Sequence, residues 1–156
     1  MDIRDYRDAL GRFATGVCVV TARDASFGDV AMTVNSFSAL SLKPPMVLWS
    51  IQKSSECFVA FTTSEWFGVS VLSTKQEHLS VRYAKSSAEG IDGSDFVRDE
   101  KQVLLVDEAL ATFSCELSSV HSGGDHQIII GQVKKYSCQV GLPLVFFGGQ
   151  YRSLSV

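Results

Sequence analysis

Residues 32–41 read MTVNSFSALS: hydroxyls at Thr33, Ser36, Ser38 and Ser41, one amide at Asn35, and nothing that titrates. Such a surface supplies no strong acid, base or nucleophile. It does supply backbone amides and small side chains that can approach the edge of a flat heterocycle, with Met32 and Ser41 at its two ends. Hydride transfer from a reduced nicotinamide to a flavin asks for little more. The two rings carry the chemistry, and a protein has only to hold them face to face within about 3.5 Å, away from water. A polar strand exit, with Asn and Ser closing a turn through their own backbone bonds, explains the same residue types.

The other chemistry-bearing residues exclude more than they propose. There is no GxxxxGK loop, no GxGxxG after a strand, no HExxH and no GxSxG. His78, His121 and His126 are not spaced as metal ligands, and the carboxylates gather in loops and near the start of the chain, which disfavours a hydrolase. Cys18, Cys57, Cys115 and Cys138 stand far apart without a CxxC. They read as single buried thiols in a reducing compartment, with no metal. Ser54 and Ser55 precede an expected helix at 55–61, where an N-cap is the ordinary account. The free amides and dipole of a helix start would also suit a phosphate, with Lys53 adding charge. Arg82 falls on a second expected helix, as a phosphate ligand or a solvated cation. His126 follows SGGD, a hairpin turn, and a neutral imidazole there could donate one hydrogen bond and accept another from a cofactor edge. Tyr151 reads as an aromatic lid or a packing residue.

These residues must be positioned by a small set of elements. Ile3, Tyr6, Leu10 and Phe13 recur at helical spacing behind Asp2, so an amphipathic helix is expected up to about Gly16. VCVVTA, DVAMTV, MVLWSI, WFGVSVL, ATFSCELSSV, HQIIIGQVKKYSC and PLVFF are short β-branched or aromatic runs bounded by turn residues, which reads as about seven strands. Helices are expected only at 55–61 and 76–85 among them, so the βαβ rhythm of a parallel sheet is missing. A mainly antiparallel sheet rolled into a closed or partly split barrel leaves the fewest bare edges. Residues 86–102 are polar and Gly-rich and read as a loop.

At 156 residues the chain is expected to form one domain, 1–156. A net charge of -3 with scattered basic residues argues against nucleic acid. No apolar run reaches the roughly 20 residues of a membrane span, and MDIRDYRDAL is charged where a signal peptide would be apolar. The expectation is a cytoplasmic protein.

Five segments in order resemble one family: ALGRFATGVCVVTA at 9–22, MTVNSFSALSLKPPMVLWSI at 32–51, FGVSVL at 67–72 with LSVRYA at 79–84, GGDHQIIIGQV at 123–133, and PLVFFGGQY at 143–151. The chain is similar, nearly end to end, to the flavin reductase-like family, the small components of two-component flavin-dependent monooxygenases. The resemblance implies a mainly β fold, an antiparallel split β-barrel of the FMN-binding, Greek-key type with a few flanking helices. It implies a homodimer that uses NADH or NADPH to reduce FMN or FAD and passes the reduced flavin to a partner monooxygenase. It also implies that the segment Thr33, Val34, Asn35 and Ser36 lines the isoalloxazine, largely through backbone groups. Ser50, Ile51, Lys53, Ser54 and Ser55, with Arg82, would meet the ribityl chain and phosphate, and His126 and Tyr151 the nicotinamide side. Many relatives carry His and Arg where this chain has Phe147 and Gly148, so the choice of nicotinamide stays open. A non-catalytic split-barrel protein holding flavin or haem is the alternative, and a pyridoxamine phosphate oxidase-like activity would want more basic residues at the phosphate end.

Overall fold

A computed structural model describes residues 1–24, 26, 28–85 and 91–154. In chain order the elements are α1 (Ile3–Leu10), β1 (Thr15–Gly16), β2 (Cys18–Asp24), β3 (Gly28–Val34), β4 (Ser38–Leu42), β5 (Pro45–Gln52), α2 (Phe58–Thr63), β6 (Trp66–Val71) and α3 (Glu77–Ala84). They continue with β7 (Phe96–Arg98), β8 (Leu104–Val106), β9 (Ala111–Gly123), β10 (His126–Cys138), β11 (Val145–Phe147) and β12 (Gln150–Arg152).

Seven strands form one sheet in the order β3-β2-β6-β9-β10-β5-β4, and the pairs are antiparallel. The mainly antiparallel expectation holds, and the rolled sheet closes around a core of Val20, Val34, Trp49, Phe61, Phe67 and Ile129. Trp49 and Phe61 meet edge to face with centroids 4.9 Å apart. The two end strands, β3 and β4, are consecutive in sequence, so Asn35–Phe37 carries the chain across the gap between them.

A second apolar cluster lies on the other face of β2 and β3. Val17, Val19 and Ala31 pack there against Leu79 and Tyr83 of α3, together with Leu104, Val106 and Leu144. Covered on both sides, β2 needs a continuous apolar run rather than an alternating one, and VCVVTA supplies it. Gly68 is required where β8 crosses β6, since a Cβ there would lie 2.4 Å from the Leu104 carbonyl oxygen.

Several expectations need correction. The first helix ends at Leu10, with Asp2 capping it as expected through the amides of Arg4 and Asp5. Its apolar residues do not reach the core: Ile3, Tyr6, Leu10 and Phe13 are exposed. The helix expected at 55–61 begins at Phe58, with Cys57 at its cap, so Ser54 and Ser55 belong to the preceding turn. Residues 91–102 are not a plain loop, because Phe96–Arg98 pairs with Leu104–Val106 and plugs Phe96 into the outer cluster. The part of that stretch at 86–90 lies outside the described residues. SALSL, without bulk enough to look like a strand, is β4. Cys18, Cys57 and Cys115 are buried, whereas Cys138 is exposed.

Candidate active site

The crossing from β3 to β4 is built around one hydroxyl. Ser36 Oγ donates to the Ser50 carbonyl at 3.1 Å and accepts from the Ser50 amide at 3.0 Å. Strands β4 and β5 pair Ser38 with Leu48, so the same register places residue 36 opposite residue 50. The Ser36 side chain thus makes the two bonds that a strand backbone would make there, and the main chain of 34–37 is free to turn. This joins two of the sequence-predicted segments, 32–36 and 50–55. A weaker contact joins them again: Ser55 Oγ lies 3.7 Å from Met32 Sδ while accepting from the Cys57 amide.

Beyond the turn, Thr33 and Asn35 border open space, while Val34 between them is buried and packs into the core. Thr33, Val34 and Asn35 line a cavity of about 210 Å³ with Val17, Ser80, Ala84, Phe146 and Tyr151. Asn35 and Phe146 also line a larger groove of about 700 Å³, bounded by Arg7, Arg12, Phe13, Gly148 and Gly149. The cavity's walls are small, polar or aromatic, and the groove adds charge through Arg7, Asp8 and Arg12. Tyr151 arrives on β12, returned by a two-residue Gly148–Gly149 loop whose φ values are +58° and +76°, as the tight hairpin turn with two left-handed residues requires. Its ring packs edge on against Phe146 at 5.6 Å, and its hydroxyl lies 2.6 Å from Ser80 Oγ. The Thr33 hydroxyl donates to the Ser80 carbonyl at 2.7 Å.

His126 stands at the start of β10, opposite Gln52 of β5 and Gly123 of β9. Its Nδ1 lies 2.7 Å from Asp125 Oδ1. The hydrogen bond from His126, and then its charge, hold the Asp125 carboxyl below the usual carboxylate range. With Nδ1 engaged, Nε2 is the ring nitrogen left for a ligand. Lys53 braces this turn: its ammonium donates to Ser122 Oγ at 2.9 Å and to the Gly124 carbonyl at 2.7 Å, and its amide to the Asp125 carbonyl at 2.9 Å.

The predicted residues therefore sort into three places. Thr33, Val34, Asn35 and Tyr151 share the cavity, Met32, Ser36, Ser50 and Ser55 hold the crossing in place, and Lys53 and His126 meet at the β9–β10 turn. Ile51 is buried in the core, and Ser54 is exposed on the turn before α2. Ser41 lies on edge strand β4 opposite Met46, past a bulge. Arg82 is engaged by acids, at 3.4 Å from Asp92 and 3.1 Å from Asp95. Ser80, Phe146, Arg7 and Arg12 also line the cavity and groove without a sequence signal of their own. Nothing local in LSVRYA distinguishes a buried serine from a solvated one, and α1 gave only its apolar spacing as a signal.

The cavity fits the edge of a flat ring, with an apolar floor and a few hydroxyls, and the groove it opens beside carries two guanidinium groups, the Asp8 carboxylate and two glycines with open space at their Cα atoms.

Known proteins resemble this chain in sequence and in fold. A family profile described as flavin reductase like domain matches residues 10–155. The FMN reductase (NADH) SmoA of Agrobacterium fabrum is 41% identical over 97% of this chain and 86% of its own length. The reductase subunit HsaB of a flavin-dependent monooxygenase from Rhodococcus jostii is 35% identical over 99% of this chain and 79% of its own. Among solved structures, the NADH:FAD oxidoreductase SgcE6 of Streptomyces globisporus, in complex with NAD and FAD fragments, superimposes with a TM-score of 0.92. It is 33% identical and covers 99% of this chain and 93% of its own. The flavin reductase PheA2 gives a TM-score of 0.91 at 34% identity, with both chains covered in full.

Proposed function

This chain belongs to the flavin reductase like family, and from that premise we infer that it transfers a hydride from NADH to FMN or FAD and supplies the reduced flavin to a partner monooxygenase. The observation that carries the reading is the cavity beside Thr33, Val34 and Asn35: the segment without titratable groups borders open space at Thr33 and Asn35 while Val34 anchors it in the core.

When bound, the flavin and nicotinamide rings supply the redox chemistry themselves. The chain's residues do the rest. Val17, Val34, Ala84 and Phe146 would exclude water from a bound ring, Thr33 and Asn35 would hold its edge, and Ser36 fixes the backbone just after them. His126, oriented by Asp125, presents Nε2 to the nicotinamide side. Lys53, Ser54 and Ser55 would take the ribityl and phosphate end, and Arg82 would join them only by giving up Asp92 and Asp95. NADPH is the less favoured donor, since the relatives that name a nicotinamide name NADH.

The chain acts as one domain and as a homodimer in the cytoplasm. The outward apolar face of α1 supports association with a second copy, and four cysteines outside any disulfide suit a reducing compartment. Purified protein mixed with NADH and either flavin is expected to consume NADH in proportion to enzyme. Failure with both flavins and both nicotinamides would overturn the reading.

A further inference from the structure

Ser80 sits on α3 with no exposed surface, and two parts of the ring cavity hang on it. Its carbonyl takes the Thr33 hydroxyl at 2.7 Å, and its own hydroxyl lies 2.6 Å from Tyr151 Oη. One residue of α3 thus ties the exit of β3 to the terminal hairpin, across a cavity that Thr33, Ser80 and Tyr151 all line.

The proton count sets the polarity of this wall. A carbonyl only accepts, so the single proton of the Thr33 hydroxyl is committed to Ser80. Oγ1 keeps its lone pairs and has nothing left to donate. A carbonyl oxygen on a bound ring would meet those lone pairs unfavourably, whereas an N–H would be satisfied by them. Tyr151 and Ser80 share one bond between two hydroxyls, and the phenol is the stronger donor of the two.

We propose that Ser80 is a positioning residue of the cofactor cavity: by taking the Thr33 proton on its carbonyl and holding Tyr151 with its hydroxyl, it makes the Thr33 oxygen an acceptor that selects an N–H on the edge of the bound ring. The proposal rests on the flavin reductase reading. Two groups carry such an N–H, the flavin imide at N3 and the carboxamide of the nicotinamide, and both are planar amides.

The test compares wild type with Thr33→Val, Thr33→Ser, Ser80→Ala, Tyr151→Phe and the Ser80→Ala/Tyr151→Phe double variant. Flavin affinity is read by fluorescence titration, and kcat and KM for NADH are read separately. The probes are N3-methyl FMN, which lacks the imide proton, and reduced 3-acetylpyridine adenine dinucleotide, in which a methyl ketone replaces the carboxamide. Wild type is expected to bind one of these analogues about three- to tenfold more weakly than its natural counterpart, the loss of one neutral hydrogen bond. Thr33→Val should erase that discrimination and Thr33→Ser should keep it. Discrimination against the methylated flavin assigns the imide, and against the acetylpyridine nucleotide the carboxamide. Ser80→Ala keeps the carbonyl that takes the Thr33 proton and should therefore keep the discrimination; having lost only the hydroxyl that holds Tyr151, it should weaken cofactor binding a few-fold and add nothing once Tyr151 is Phe. Equal discrimination in wild type and Thr33→Val would overturn the proposal, as would additive effects of Ser80→Ala and Tyr151→Phe. A wild type that reduces no flavin fails the functional reading instead, while the flavin titrations still decide the ring contact.

Discussion

Ser36 and Ser50 are joined by a two-way hydrogen bond, hydroxyl to carbonyl and amide to hydroxyl, at the point where the chain leaves one edge of the sheet for the other. Ser36→Ala takes the hydroxyl partner from both the amide and the carbonyl of half-buried Ser50. The expected cost is about 1–2 kcal/mol, or a fall in melting temperature of a few degrees. Because the turn it anchors carries Asn35, flavin affinity should drop as well. Thermal unfolding and a flavin titration on the same variant check this, and a variant as stable and as tight as wild type would contradict it.

Lys53 can be tested for two roles at once. Its ammonium is bound to Ser122 and Gly124 of the turn that presents His126. Lys53→Met keeps the aliphatic stem and deletes those bonds. Bracing of His126 predicts a KM for NADH raised a few-fold with FMN and riboflavin affinities both unchanged. Direct contact with a flavin phosphate predicts weaker FMN binding and unaltered riboflavin binding.

Tyr83 sets a limit at alkaline pH. Burial, followed by the hydrogen bond and charge of Asp95, pushes its phenol up to about 12. The folded state favours the neutral form, so this contribution is whole below the ordinary phenol range near 10 and is lost as pH rises from about 10 toward 12. The loss is on the order of 2–3 kcal/mol. Urea midpoints measured from pH 9 to 12 should fall more steeply for wild type than for Tyr83→Phe; parallel curves would remove the assignment.

Thiol reactivity should single out Cys138. Burial pushes Cys18 and Cys115 up to about 12, and Cys57 is buried too, whereas Cys138 stands exposed at the end of β10. Titration with an aromatic disulfide reagent under native conditions is expected to label one thiol per chain, and none in Cys138→Ser. Denaturant should release the others.

The sheet was legible because its central strands carry their own evidence. VCVVTA and HQIIIGQV could hardly be anything but strands, and with only two helices expected among the strands the βαβ rhythm of a parallel sheet was missing. The elements that were missed have weak local signals. SALSL becomes a strand through pairing with β5, and Phe96–Arg98 sits in a polar stretch where only Phe96 marks a buried side. The start of α2 shifted because Ser55, a good capping residue, spends its hydroxyl within the turn instead. In the site, 32–36 was legible as a surface without titratable groups, while Ser80 was not: its role depends on Thr33 and Tyr151, which reach it from 47 and 71 residues away.

The central claim is that the fold acts by holding a nicotinamide and a flavin ring in one fixed stacking geometry. Anaerobic stopped-flow reduction of flavin by NADH carrying deuterium at one or the other C4 position measures that geometry directly. A primary isotope effect for a single face of the nicotinamide, with deuterium leaving from that face alone, is the predicted result. Equal effects from both faces, or flavin reduction no faster with protein than without it, would contradict the account.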